Sequence, residues 1–395
     1  MGRRGNSLTV WSVSQLMFDF IGLGNGLINV VLLLVILVVL VVIHEFGHFI
    51  VARRAGVTVH EFGIGFPPRA LTYHTDKHGT IYTLNWLPIG GFVRMEGEDG
   101  ESDDPNAFVH RRLHTRITIL LAGVGMNILL AFVIFTGIAL LGDPVSVATI
   151  GSVVPGSPAA SIGLVGGQQT GTDANGNAIY DDSGDKIVSI DGQRFYALDQ
   201  LGGAAADTPQ GAYLRAHAGQ QVTVTIQHNN GTQQDYLVTL RPPAEAEQGA
   251  LGVRFTLLST VDSQRPLADA IATGARRTAD AATLILRGLG DLVNNIANPP
   301  VSGPVGIVND IGIVRSSLPP VFLVWFIGLL SANLAVVNAL PFPPLDGGRV
   351  AVAVIQKATG NRIGANAERL AYLAGFILLM TLLAWVTYND ILRLG

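Results

Sequence analysis

Residues 20–48 read FIGLGNGLINVVLLLVILVVLVVIHEFGH, and this stretch decides what kind of fold to expect. No charged residue interrupts positions 20–43, and a helix needs about 20 apolar residues to cross the hydrocarbon core of a bilayer. We therefore predict a first transmembrane helix over 20–43. The run is too long for a signal peptide and no small-residue cleavage site follows it, so we expect this helix to be retained.

The composition of the whole chain agrees with a membrane protein. Of its 395 residues, 49% are hydrophobic and only 14% are charged, whereas soluble domains carry about 25% charged residues. This excludes an ordinary soluble enzyme and a disordered protein. The net charge of −4 offers no basic field for nucleic acid, so we expect no nucleic-acid partner. Because the chain has no cysteine, disulfides and thiolate metal ligands are also excluded.

Three further uncharged runs, at 117–142, 316–345 and 370–389, predict a second, third and fourth transmembrane helix. The loops after the first and third helices carry twelve Lys and Arg residues, and the two tails carry three. Positive residues favour the cytoplasmic side of a membrane. We therefore expect these two loops in the cytoplasm, and the long second loop outside together with both termini.

The long second loop contains a β-rich segment. Residues 222–226 and 236–240 alternate apolar and polar side chains around Asn230 and Gly231, which predicts a β-hairpin. The chain then divides into an N-terminal extension (1–27), a first part of the membrane core (28–145), a β-rich domain (146–243), a linker with an amphipathic helix (244–315) and a second part of the membrane core (316–395).

The amphipathic helix is predicted from apolar residues that recur every three or four positions between 267 and 296. Its apolar stripe admits two interpretations. Either the stripe packs on the helix's own domain, or it lies at the membrane surface.

The first predicted helix runs directly into His44, Glu45 and His48. Histidines four residues apart lie on one face of a helix, so both imidazoles can reach one metal ion. Glu45 can reach a water molecule on that metal and take its proton. Ionisable residues inside a span are costly and usually functional, so we favour a metal site over a pair of interfacial histidines.

A third metal ligand is expected from Asp346. The first and third helices both run from outside to inside, so the motif NALPFPPLDGG at 338–348 ends the third helix at a depth comparable to the histidines. Prolines end the regular helix there and glycines permit an irregular backbone. Asp346 is otherwise a turn residue after a helix. Asn338 can hydrogen-bond a substrate backbone or an oxyanion, or it is a polar residue satisfied between helices.

These motifs resemble those of the site-2 protease family of intramembrane zinc metalloproteases, and in particular its regulator-of-sigma-E protease branch. Residues 44–48 match the family's HExxH, and 338–347 match its N-x-x-P-x-P-x-L-D-G. Segments 61–66 and 87–95 resemble the family's first cytoplasmic loop. Segments 154–160 and 184–192 resemble a PDZ domain. The expected fold is therefore a polytopic α-helical membrane protein with four transmembrane helices, a cytoplasmic-side membrane-associated β-hairpin and one inserted extracytoplasmic PDZ domain.

The resemblance implies one Zn²⁺ per chain held by His44, His48 and Asp346, with Glu45 as general base and acid. It implies cleavage of peptide bonds inside transmembrane segments of membrane proteins such as anti-sigma factors, which another protease trims first. The PDZ domain would screen these substrates. The location implied is the inner (plasma) membrane, with the active site toward the cytoplasm.

The family's re-entrant β-hairpin maps to a stretch with two strand candidates, 81–84 and 92–95, on either side of a Pro-Gly-Gly segment. An unwound substrate can pair with a strand edge of the enzyme. We expect Gly90, Gly91 and Phe92 to contact substrate.

Two alternatives to an active protease stay open. One is a catalytically silent membrane scaffold that presents a PDZ domain, although a silent protein has no need of Glu45. The other is a metal transporter, which would not need Glu45 or the PDZ domain. A polar insert over 165–183, with Asp173, Asp181 and Asp182, interrupts the PDZ-like motifs. It is either a flexible loop or a cation site.

Overall fold

The computed structural model describes residues 10–98, 100, 102–172, 178–199, 209–243, 249–295, 301–360 and 365–394. Its helices are, in chain order, α1 (Val10–Arg54), α2 (Leu113–Leu141), α3 (Pro158–Ser161), α4 (Pro209–Ala216), α5 (Leu267–Asn294), α6 (Pro304–Ser317), α7 (Pro320–Ala339), α8 (Asp346–Ala358) and α9 (Ala365–Leu394), with short 3-10 helices at Phe108–His110 and Ala197–Asp199.

The strands form two sheets and one small hairpin. In chain order they are β1 (Val59–Thr75), β2 (Ile81–Met95), β3 (Asp143–Val153), β4 (Gln169–Thr172), β5 (Ala178–Tyr180), β6 (Lys186–Ile190), β7 (Gln193–Arg194), β8 (Gln221–Gln227), β9 (Gln233–Thr239) and β10 (Val253–Ser263).

The chain divides into two compact units, Thr136–Thr273 on the one hand and Met1–Phe135 with Gly274–Gly395 on the other. The discontinuous unit contains most of the helical segments and the β1–β2 sheet, and the continuous unit contains the remaining strands. The part of the long second loop up to Thr273 therefore falls in a compact unit of its own, and the part from Gly274 belongs to the helical unit.

Four helices are long and apolar enough to cross a membrane: Asn25–Arg54, Leu113–Leu141, Pro320–Ala339 and Asn366–Leu394. They coincide with the four predicted spans and confirm that prediction. Helix α1 begins at Val10, so the described part of the N-terminal extension continues the first span as helix. The third span ends at Ala339, where the proline-rich segment 340–345 begins.

The β1–β2 sheet adjoins the end of α1. The chain reverses between the strands at 76–80, where the Asp76 carboxylate accepts hydrogen bonds from the backbone N–H groups of His78 and Thr80. A guanidinium N–H of Arg53, in the last turn of α1, donates to the same carboxylate over 2.5 Å. Burial alone raises the pKa of Asp76, but these hydrogen bonds outweigh it and hold the pKa below its usual value.

The predicted hairpin between 81–84 and 92–95 is wrong. Both segments belong to β2, and segment 61–64 of β1 lies between them, since Glu61 is the partner of both Ile81 and Arg94. Residues 85–90 do reverse the chain, because 81–84 runs parallel to 61–64 and 91–94 runs antiparallel to it, but the two segments are not neighbours in the sheet. The hairpin turn between directly paired segments lies at 76–80, where an aspartate caps the turn and Gly79 takes a positive φ of 84°.

The larger sheet has the order β10-β3-β6-β8-β9, with β7 paired to β6. Its apolar face encloses a core that includes Ile150, Ile187 and Ile226, all fully buried. Segment 253–263 lies in the part of the chain that we expected to be linker, yet it pairs with β3 along its whole length. The sheet therefore extends beyond the predicted boundary at 243.

The insert at 165–183 forms a two-stranded hairpin of β4 and β5 in its described part. The Asp181 carboxylate accepts hydrogen bonds from the backbone N–H groups of Gln168 and Ser183. It thus closes the base of the hairpin. Asp173 lies outside the described residues, and among those described no cation-binding group of three ligands includes Asp181 or Asp182.

Helix α5 exposes its apolar stripe. Leu267 and Leu286 are 63% and 52% exposed, whereas Ala270 and Arg277 on another face are buried. Ala281 packs with Phe135 and other small or aromatic side chains. The face with small and polar side chains is thus the one that packs. The interpretation in which the apolar stripe packs on the helix's own domain is therefore wrong. Alanine, glycine and threonine allow a closer approach between helices than leucine does.

Candidate active site

The two histidines of the site lie on one face of α1, near its C-terminal end. His44 and His48 are 5% and 6% exposed, and their Nε2 atoms lie 3.2 Å apart. Helix α2 passes close beside them: a Cβ on Gly47 would lie 2.4 Å from the carbonyl oxygen of Ala122. The spacing of four residues aligns the rings, and glycine at position 47 lets the second helix approach.

Asp346 reaches the histidines because the backbone before it turns tightly. Helix α7 ends at Ala339 and α8 begins at Asp346 itself. A Cβ on Gly347 would lie 2.2 Å from the Ala339 carbonyl oxygen, and one on Gly348 would lie 2.4 Å from the backbone of Phe342. Only glycine fits at these two positions, so the glycines after Asp346 permit the compact loop that presents its carboxylate.

Three ligand-type atoms converge at this point. Asp346 Oδ2 lies 2.9 Å from His44 Nε2 and 3.3 Å from His48 Nε2. Ligand atoms on a tetrahedral zinc ion lie roughly 3.3–3.6 Å apart, so these atoms need to separate by only a few tenths of an ångström. Two nitrogens and one oxygen also match the donors of zinc sites in proteins. Within the described part of the chain, this is the group of three His, Asp or Glu residues that could hold a metal ion.

The electrostatics of the site favour a carboxylate at position 346. Burial alone raises the pKa of Asp346, but its contacts with His44 and His48 outweigh burial and lower the pKa below its usual value. Arg349, one turn along α8, pairs with Glu98 at the end of the β1–β2 sheet. Burial alone lowers the pKa of Arg349, but the carboxylate of Glu98 raises it above its usual value. This ion pair ties α8 to the segment that follows β2.

Both imidazoles are also contacted by α2. His48 Nδ1 donates a hydrogen bond to the carbonyl oxygen of Ile119 over 2.8 Å. The amide Nδ2 of Asn127 lies 3.4 Å from His44 Nδ1. Between them, a Cβ on Gly123 would lie 2.5 Å from His48 Nε2 and 2.6 Å from His44 Nε2. Helix α2 therefore forms one wall of the site.

Glu45, Gly90 and Gly91 lie where helix α1 meets strand β2. Glu45 is partly buried and interacts electrostatically with His44 and His48. A Cβ on Gly91 would lie 3.8 Å from Glu45 Cγ, and one on Gly90 would meet Val41 of the same helix at 3.4 Å. The structure thus brings β2 and Glu45 together.

Phe92 lies on β2 and Asn338 lies on α7. The Phe92 ring packs over Gly63, where a Cβ would lie 2.4 Å from the ring, and it stacks with Phe66 at 6.3 Å between centroids. Asn338 lies partly buried in the last turn of α7.

Sequence reasoning missed the roles of Gly123, Asn127 and the Glu98–Arg349 pair. Asn127 had a usable signal, because a polar residue within an apolar span requires a partner. The sequence signal for Gly123 and Gly47 was weaker: small residues are common where two helices approach closely. Which histidine each of them meets depends on the rotation of α2, which no local pattern encodes.

The chain matches the model of peptidase family M50 over residues 32–382. The chain belongs to this family. It is 33% identical over 357 residues to a Clostridium perfringens protein whose name places it among zinc metalloproteases, covering 89% of this chain and 95% of that protein. The match confirms the predicted resemblance and the prediction of a metalloprotease.

Two relatives carry more specific names. The zinc metalloprotease RasP of Geobacillus kaustophilus is 28% identical over 448 residues, covering 92% of this M50 chain and 97% of the relative. The regulator of sigma-W protease RasP of Bacillus subtilis is 27% identical over 456 residues, covering 93% and 99%. These names agree with the predicted zinc cofactor and protease activity.

We expect Gly123→Ala to weaken metal binding. The added methyl group would occupy the space of both Nε2 atoms, and a packed helix interface cannot absorb it without displacing a ligand. Zinc affinity of the purified protein, measured by chelator competition, should fall roughly tenfold or more. Gly125→Ala is the matched control, since a Cβ there meets no atom within 4 Å. Equal zinc affinity of the two variants would contradict the described approach of α2.

Proposed function

We propose that this M50 chain is an intramembrane zinc endopeptidase in which His44, His48 and Asp346 hold the metal. The observation that carries the proposal is the convergence of two Nε2 atoms and one Oδ2 atom within 3.3 Å at the buried end of an apolar helix. Glu45, between the two histidines in sequence, lies at the same point. A structural ion pair would not need two imidazoles on one carboxylate oxygen.

Each residue of the site has a distinct role in peptide hydrolysis. Zinc, when bound, polarises the scissile carbonyl and lowers the pKa of a water molecule. Glu45 would take a proton from the attacking water and pass it to the leaving amine. Asp346 and the two imidazoles would supply three protein ligands, the number found in catalytic zinc sites, which keep the fourth position for water or substrate. Asn338 donates its amide N–H groups to the substrate backbone or to the developing oxyanion.

Substrate binds in an extended form beside β2. The carbonyls of a transmembrane helix are shielded by its own hydrogen bonds, so hydrolysis requires local unwinding. In the described strand pairings, Gly91 and Phe92 are partners of Ile64 and Gly63 on one side. Their other edge can accept an unwound segment by strand addition. Gly90 and Gly91 are buried, and as glycines they place no side chain between the backbone of β2 and the helix that carries Glu45.

The active site faces the cytoplasm and the continuous unit lies outside the cell membrane, as do both termini. The distribution of Lys and Arg supports this orientation. Exposed apolar residues support contact of the β1–β2 sheet with the cytoplasmic membrane surface: Leu71 and Leu84 are cross-strand partners and are 56% and 44% exposed, and Trp86 is 71% exposed. The exposed apolar stripe of α5 likewise lies against the bilayer.

The continuous unit is a single PDZ domain that screens substrates. Among the described strands, its edge strand β10 pairs with β3 alone, so the other edge of β10 can accept an extended peptide. One relative is named a regulator of sigma-W protease. By that likeness, the substrates of this chain are membrane-spanning proteins of the anti-sigma-factor kind. Another protease removes their bulky outer parts before the PDZ domain lets them pass.

We expect Glu45→Gln to abolish cleavage of a transmembrane model substrate while zinc stays bound. A general base contributes about 10²–10⁴-fold to the rate, and glutamine keeps the shape of glutamate but cannot take a proton. Cleavage in detergent and zinc content are measured on the same preparation. Glu96→Gln, outside the site, is the matched control and should stay active. Full activity of Glu45→Gln would exclude this mechanism, and zinc-loaded wild-type protein without activity would favour the silent scaffold.

The proposed orientation is testable because the chain has no cysteine of its own. Asn229→Cys places a thiol in the exposed turn between β8 and β9, and Lys77→Cys places one in the exposed turn between β1 and β2. A membrane-impermeant maleimide should label Asn229→Cys in intact cells and Lys77→Cys only after permeabilisation. The opposite pattern would reverse the topology.

Removing the continuous unit should loosen substrate selection without stopping hydrolysis. Asp143 and Ser263 are cross-strand partners, so their Cα atoms lie about 5 Å apart. A linker of two to four glycines can therefore replace residues 144–262. We expect the shortened protein to cut both trimmed and untrimmed substrates, whereas the full chain cuts the trimmed form. The same deletion with Glu45→Gln controls for other proteases. If the shortened protein binds zinc but cuts neither form, the proposed division of roles fails.

A further inference from the structure

One row of residues on α2 contacts the whole histidine pair. Ile119, Gly123 and Asn127 are spaced by four residues, so they lie on one face of the helix. The carbonyl of Ile119 contacts His48, Gly123 faces both Nε2 atoms, and the side chain of Asn127 faces His44. The first and last positions of the row therefore each meet the Nδ1 atom of one imidazole.

The hydrogen bond at His48 sets the form of that ring. A carbonyl oxygen can only accept, so Nδ1 of His48 carries the hydrogen and donates it to Ile119. In the neutral ring, Nε2 then has the lone pair, which is the form that binds a metal. The contact fixes both the tautomer and the orientation of the ring.

At His44 the equivalent contact is chemically incomplete. If His44 binds zinc through Nε2, its neutral ring also carries hydrogen on Nδ1. As placed, the atom opposite Nδ1 is Nδ2 of Asn127, 3.4 Å away, which is itself a donor. The other end of the same amide, Oδ1, is buried and has no hydrogen-bond partner among the described residues. Asn127 as a whole is fully buried.

A half-turn of the amide satisfies both groups. The two ends of an asparagine amide are nearly equal in shape, so either end can face the ring. With Oδ1 toward His44, the buried oxygen gains a donor and Nδ1–H gains an acceptor. Ser331 of α7 donates a hydrogen bond to the backbone carbonyl of Asn127 over 2.8 Å, which holds the residue at this position.

We propose that Asn127 is the positioning residue of His44: its side-chain oxygen accepts the Nδ1–H hydrogen bond and holds the imidazole in the form that binds zinc through Nε2. Asn127 acts through His44 and does not touch metal or substrate. Helix α2 thus supplies one acceptor to each histidine, a backbone carbonyl at His48 and an amide oxygen at His44. This inference rests on the proposed zinc site.

The test compares substitutions at Asn127 that keep or remove the acceptor. Asn127→Leu removes it at similar volume, and loss of such a partner weakens metal affinity about 10–100-fold. Asn127→Asp keeps an oxygen acceptor and should bind zinc within about threefold of wild type, because carboxylates serve as partners of zinc-bound histidine. Asn333→Leu is the matched control: its Oδ1 is also buried and has no hydrogen-bond partner among the described residues, and the zinc affinity of this variant should equal that of wild type.

Two readouts that do not require activity separate the outcomes. Zinc affinity is measured by chelator competition, and the visible absorption of the Co²⁺-substituted protein reports the ligand geometry. Elution as a single species in detergent shows that each variant is folded; if Asn127→Leu is not, Asn127→Ala takes its place. Weakened metal binding in the leucine or alanine variant, with rescue by aspartate, supports the proposal.

Two results would overturn the inference about Asn127: wild-type affinity without the acceptor, or equal loss in folded Asn127→Asp. Both leave the proposed function intact, since the wild type still binds zinc. Failure of the wild-type protein to bind zinc would instead overturn the proposed function, and with it the inference.

Discussion

Three ligand atoms that come within 3.3 Å of one another inside an apolar helical unit constrain everything around them. Such an approach leaves no room for ordinary side chains nearby. Gly123 on α2 and Gly347 and Gly348 at the start of α8 are each positions where a Cβ would collide with a ligand or with backbone. The glycines come from different parts of the chain, and what they share is proximity to one point.

The buried polar atoms at the same point also need partners. An ionisable group among apolar side chains is costly unless it is paired or hydrogen-bonded. Ile119 provides a carbonyl to His48, and Glu98 pairs with Arg349 beside Asp346. These contacts explain why the site needs the second helix and the segment after β2, although neither contributes a ligand. They also restrict the imidazoles to orientations in which both Nε2 atoms face Asp346.

Sequence patterns predicted the elements far better than their partners. The four spans follow from runs of apolar residues, and the histidine pair follows from a spacing of four. The partner of segment 81–84 was mispredicted, because segment 61–64 inserts between it and 91–94 and pairing across that distance leaves no local pattern. The strand at Val253–Ser263 was missed because it completes its sheet by pairing with β3, more than a hundred residues earlier. The apolar stripe of α5 was visible in the sequence, but the sequence did not show whether the stripe is packed or exposed.

The sequence by itself determined the class of protein, the four spans and the candidate ligands His44, His48 and Asp346. Hydrophobic length and helical spacing are local properties, so neighbouring residues are enough to encode them. Tertiary structure alone decided that Asp346 meets the histidines, that Gly123 makes room for their Nε2 atoms and that Asn127 faces His44. These are contacts between helices whose rotation and depth depend on packing along their whole length, and no short segment of sequence contains that information.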